Sequence, residues 1–107
     1  RRWLVLGDMA ELGGFALAEH ARIGELARAA GLERLYATGA LAAHAAAAFG
    51  AGATSCADVP ALIATLREAL GAAGAEVRVL VKGSRFNRLE RVIEALASDG
   101  APGGGAH

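Results

Sequence analysis

The chain has 107 residues, enough for one domain with a real core and no need of staples. Eleven basic and eleven acidic side chains cancel to a formal charge of zero, and no basic block occurs, which excludes a nucleic-acid or anionic-membrane surface as the main role. A single cysteine, Cys56, excludes an internal disulfide and a cysteine-rich metal site. His20, His44 and His107 lack ligand spacing, so no metal is expected. No apolar run reaches membrane-spanning length and no secretory signal is present, so a cytoplasmic protein is expected.

The first predicted strand is Trp3-Leu4-Val5-Leu6, ending at Gly7-Asp8-Met9. Ala10 to Gly14 is turn-rich. A helix follows from about Ala16 to Ala30, with Ile23, Leu26, Ala27 and Ala30 facing inward and Gly31 as its stop. His20 falls on the inward flank of that helix and is expected to be a packed, hydrogen-bonded histidine rather than a catalytic one. Leu35 to Thr38 is the second strand. Gly39 turns into an alanine-rich helix whose buried stripe is Leu41, Ala45, Ala48 and Phe49, with Gly50 at its end.

Ala53 to Cys56 is a short third strand, and Cys56 is expected to be a small core residue, since no partner base is apparent. Asp58 caps the next helix, with Pro60 in its first turn, where a missing N–H costs little. Val59, Leu62, Ile63, Leu66 and Leu70 form its core face, and Gly71 is expected to close it. Val77 to Val81 has the look of a buried parallel strand. It turns through Lys82-Gly83-Ser84 into a helix whose apolar face carries Phe86, Leu89, Val92, Ile93 and Leu96. Residues 1–98 are expected to be the folded domain and 99–107 a disordered tail.

Strict alternation of strand and helix implies an α/β domain, a Rossmann-like parallel sheet of four strands in order 3-2-1-4 with helices on both faces. In such a sheet ligands sit beyond the carboxyl ends of the strands, where the winding reverses. That crevice would lie between Gly7-Asp8-Met9 and Lys82-Gly83-Ser84-Arg85. One loop offers a carboxylate; the other offers cations and helix-start N–H groups, which suit an anion. On these residues alone the plainer account is preferred: Gly83 makes the turn, Ser84 caps the helix, and the cations are solvated, because such caps are common. Neither GxGxxG nor GxxxxGK[ST] occurs, so the chain has no triphosphate cradle of its own.

Two strings together resemble one family. LGDMAELG at 6–13, followed by His20 and Ile23-Gly24, is similar to the start of the C-terminal domain of the Mur ligases, and VKGSRFNRLERVIEAL at 81–96 is similar to its end. Asn87 and Gly14 depart from the family's usual residues without touching the candidate site. The resemblance is to the branch that adds D-alanyl-D-alanine to UDP-N-acetylmuramoyl-tripeptide with ATP, through an acyl phosphate. It implies that Lys82, Gly83, Ser84 and Arg85 line the site of the incoming dipeptide, and that Asp8 and Met9 lie near the nucleotide ribose. ATP and Mg would be bound mainly by a central domain absent here, so no catalytic residue is expected in this chain and the piece alone is expected to be inactive. The abrupt start at Arg1-Arg2-Trp3 fits a piece of a larger enzyme, expected to be a monomer. The alternative class is a stand-alone regulatory module that binds a nucleotide or phosphate without catalysis.

Overall fold

Side chains alternate across a strand, and this chain uses that period to build a core on each face of one sheet. The computed structural model describes residues 1–9, 15–74, 76–83 and 89–99. Its strands are β1 (Arg2–Gly7), β2 (Arg34–Thr38), β3 (Ala53–Cys56) and β4 (Arg78–Lys82), and its helices are α1 (Ala16–Ala29), α2 (Ala42–Phe49), α3 (Val59–Ala73) and α4 (Glu90–Asp99). The strands form one parallel sheet in the order β3-β2-β1-β4. The expected strand order and the helix–sheet–helix layering are both present, as right-handed crossovers require.

Leu4, Leu6, Leu35 and Ala37 face one side and pack with Ala27 of α1 and Ala42, Ala45, Ala46 and Phe49 of α2. Trp3, Val5 and Tyr36 face the other side and pack with Leu62 and Leu66 of α3 and with Leu89 and Val92. Each large apolar side chain buried this way contributes about 1.5–3 kcal/mol. Among the described residues, no helix is long and apolar enough to cross a membrane.

Four local expectations change, the simplest being that Ile93, on the expected apolar face of α4, is 56% exposed. The strand read as buried, β4, is an edge: its exposure alternates, and Leu80 remains 43% exposed. Helices α3 and α4 cover Val79 and Val81 on one face only, so the continuous apolar run does not correspond to burial on both sides. Helix α1 buries His20, Gly24 and Ala27, while Leu26 and Ala30 are exposed. The reason is steric: α1 approaches α2 at Gly24, and that contact sets the rotation of the helix. Gly71 lies within α3, and the end comes at Gly74, in the left-handed region at φ 66°. Phe86, Ser84 and the tail from residue 100 onward lie outside the described residues.

The N-terminus of α3 follows its sequence. Asp58 Oδ1 accepts a hydrogen bond from Ala61 N–H at 2.8 Å, with proline in the first turn. Asp58→Ala should therefore lower stability by about 1 kcal/mol, seen as a lower urea midpoint at unchanged m-value. An unchanged midpoint would show that the cap is replaced by water.

Helix α2 is held differently. It has eight residues, four of its last six are alanine, and no side chain of its own start caps it. So short a helix is marginal by itself in water. Its far end is tied by Arg28 of α1, whose Nη1 donates to the carbonyls of Phe49 and Ala51 at 2.9 Å each. The same guanidinium lies 5.3 Å from the Phe49 ring centre. Its beginning is tied from β1, as described next.

Candidate functional site

The crossover from β1 runs to β2 on one side, while β4 returns to pair with β1 on the other. The winding therefore reverses between β1 and β4, where the general rule puts the ligand crevice. Leu6 stands opposite Lys82 in the ladder, so Gly7-Asp8-Met9 and Lys82-Gly83 leave adjacent strands at the same carboxyl edge. The two segments singled out in the sequence are thus brought together. Lys82 and Gly83 are exposed, and Asp8 and Met9 are half-buried. Ser84 and Arg85 lie outside the described residues.

Asp8 has a structural partner that the sequence did not announce. Its Oδ1 accepts a hydrogen bond from Ala42 N–H, the first residue of α2, at 2.7 Å. The carboxylate so supplies the missing cap and sits at the positive end of the helix dipole. Gly39 makes room for it: a Cβ there would stand 2.9 Å from Asp8 Oδ2 and closer still to Oδ1, and the backbone is at φ +113°. A signal for this contact did exist, since Gly39-Ala40-Leu41 offers no capping side chain and α2 had to find one elsewhere.

Met9 is held from the other flank. Its N–H donates to His20 Nε2 at 2.9 Å, and His20 Nδ1 lies 2.6 Å from the carbonyl oxygen of Ala16. Because Nε2 accepts, Nδ1 carries the proton and donates to Ala16, which defines one neutral tautomer. The ring is completely buried. The expectation of a packed, hydrogen-bonded histidine is met; its reach to Met9 was not foreseen, because residues 9 and 20 are joined only by the fold.

Two titratable groups away from this edge, Cys56 and Glu33, have structural partners. Cys56 is half-buried, and burial pushes its thiol up, partly offset by the Thr65 hydrogen bond, with the Asp58 charge adding a smaller push in the same direction as burial. Its thiolate is correspondingly disfavoured, as suits a packing residue. Glu33 Oε1 accepts from Trp3 Nε1 at 2.7 Å and from Arg1 Nε at 3.2 Å. A concavity of about 480 Å³ lined by Arg1, Arg2, Glu76, Val77 and Arg78 lies at the amino ends of β1 and β4. That is the opposite end of the sheet from the crevice, and it plays no part in the candidate site.

No family model matches the chain. It is 42% identical to the UDP-N-acetylmuramoyl-tripeptide–D-alanyl-D-alanine ligase of Escherichia coli (strain K12), over 99 residues that cover 92% of this chain and 22% of the relative. The chain is homologous to the C-terminal region of the MurF ligases. The ligase of the same name from Mycobacterium tuberculosis (strain ATCC 25618 / H37Rv) is 39% identical, with 92% of this chain and 22% of the relative covered. That from Mycobacterium leprae (strain TN) is 37% identical, covering 94% and 20%. The chain thus spans about a fifth of the length of the MurF relatives it matches. A crystal structure of MurF from Acinetobacter baumannii superposes with a TM-score of 0.80 at 24% identity, covering 89% of this chain and 22% of that one, and shows the same fold.

Proposed function

We propose that this chain is the C-terminal domain of a cytoplasmic, ATP-dependent ligase that adds D-alanyl-D-alanine to UDP-N-acetylmuramoyl-tripeptide in peptidoglycan synthesis. The observation that carries the reading is the 42% identity over 92% of the chain to a ligase of that name. In the intact enzyme ATP phosphorylates the terminal carboxylate of the tripeptide, and the dipeptide amine attacks the resulting acyl phosphate. A tetrahedral intermediate then expels inorganic phosphate. This domain presents the dipeptide from the Lys82–Arg85 segment and closes over the nucleotide, with Asp8 and Met9 beside the ribose. Cations suit a dipeptide carboxylate, and a carboxylate oxygen suits ribose hydroxyls.

Magnesium demands near-octahedral oxygen ligation. Among the described residues, no group of three or more histidine, cysteine, aspartate or glutamate side chains lies together, and Asp8 already shares one oxygen with α2. On this reading the ion is held mainly by the central domain that the family resemblance implies. The same holds for the triphosphate, because the sequence contains no GxxxxGK[ST] and phosphoryl transfer needs a preorganised cradle.

The test is Arg85→Ala in the full-length ligase. A guanidinium in the segment that follows Lys82 suits a dipeptide carboxylate through a charge-assisted hydrogen bond. Loss of a charge-assisted hydrogen bond should raise the KM for D-alanyl-D-alanine by roughly ten- to a hundredfold. KM for ATP and for the UDP-tripeptide should move much less. A folded variant with unchanged dipeptide KM would mean that Arg85 is merely solvated, and would remove the dipeptide site from this loop.

A further inference from the structure

We propose that His20 is a positioning residue for the nucleotide-side loop: its Nε2 lone pair holds Met9 N–H and thereby sets the direction of the neighbouring Asp8 carboxylate. The inference rests on the reading that this loop faces the nucleotide, and goes beyond it by naming what holds the loop.

Two consecutive residues at the end of β1 are tied from two different helices. Ala42 N–H of α2 binds the Asp8 side chain, and His20 of α1 binds the Met9 backbone. One bond fixes a side chain and the other fixes the peptide that follows it. Together they restrict rotation where the chain leaves the sheet. A histidine serving only to fill space needs no acceptor aimed at a loop. Here a ring at 0% exposure spends one nitrogen on its own helix, at Ala16, and the other on the loop. Gly24, one turn further along α1, lets this helix lie against α2, so both tethers share one rigid support.

Three variants of the full-length ligase separate the acceptor from the bulk. His20→Asn retains a donor for Ala16 O but is too short to reach Met9. In His20→Gln, the side-chain carbonyl reaches as far as Nε2 and can accept. His20→Met fills the space without an acceptor, and serves if the asparagine variant does not fold. Asn and Met are expected to raise KM for ATP by about three- to tenfold, the worth of one hydrogen bond, and Gln to stay within about twofold of wild type. The dipeptide KM should stay within about twofold in all three, because Lys82 ends a different strand, β4. Loss of thermal stability with no change in KM for ATP in Asn and Met would overturn the inference, as would a folded Gln variant as impaired as Asn. Asp8→Ala distinguishes the two levels. If it leaves KM for ATP unchanged, the nucleotide reading of the loop fails. If it raises KM for ATP while His20→Asn and His20→Met do not, only the role of His20 fails.

Discussion

Trp3→Ala is expected to destabilise this domain by about 3–5 kcal/mol, a large part of the 5–15 kcal/mol typical of a whole domain. The side chain is completely buried among Val5, Tyr36, Leu62, Leu66, Leu89 and Val92, where β1 meets α3 and α4. Its ring centre lies 5.7 Å from that of Tyr36, and the Arg34 guanidinium sits 4.8 Å from it. Truncation would leave a cavity that several elements would have to collapse into together. The check is urea unfolding followed by circular dichroism, because the substitution removes the chain's single tryptophan. A loss under about 1 kcal/mol would mean that the site relaxes freely, contrary to this packing.

Trp3→Phe isolates the indole N–H and carries a pH test. The Trp3 hydrogen bond, opposed by burial and assisted by Arg1 and Arg34, holds the Glu33 carboxyl below its usual value. A carboxyl lowered in the folded state contributes stability above its unfolded value and loses that contribution as pH falls through the lowered folded value. Wild type should thus lose stability on acidification through and below the ordinary carboxylate range, and Trp3→Phe should lose less over the same window. Parallel pH profiles would show that the indole does not govern Glu33.

Gly24→Ala is expected to destabilise by about 2–3 kcal/mol, although alanine is intrinsically the better helix former by about 1 kcal/mol. The steric effect wins because the obstruction is backbone. A Cβ on Gly24 would stand 2.8 Å from the Ala45 carbonyl carbon and 3.0 Å from its Cα, and nearer still to the carbonyl oxygen. A flexible side chain could turn aside; a helix backbone cannot, so α1 and α2 must move apart. Chemical denaturation should show a lower midpoint at unchanged m-value. Stabilisation by about 1 kcal/mol would mean that helix propensity alone governs the position and that the two helices are not in contact there. Separating α1 from α2 would also disturb both tethers of the β1 loop, so KM for ATP in the intact ligase should rise with it.

Where the expectations held and where they failed has one cause. Asp58 and Ala61 are three residues apart, and that cap was legible because its partners lie within one turn. Asp8 and Ala42 are 34 apart, and His20 and Met9 are 11 apart, and neither pair leaves a local pattern. The nearest hint was negative: an alanine-rich α2 with no capping residue of its own. Leu26 fits an apolar helical stripe, yet it is 55% exposed. The stripe could not anticipate that a glycine contact, rather than leucine packing, orients α1.

The sequence by itself determined the alternation of strand and helix, and with it the parallel sheet, because consecutive parallel strands need crossovers of a single hand. It also placed Gly7-Asp8-Met9 and Lys82-Gly83 each at the carboxyl end of a strand. Only the tertiary structure decided that these ends are neighbours in register, that β4 is a half-exposed edge, and that the β1 loop is fastened by Ala42 on one flank and His20 on the other. Periodicity reports which side of an element is apolar. It carries no information about which polar groups meet when distant elements pack, because that depends on how closely their backbones approach, and here the approach is set by Gly24 and Gly39.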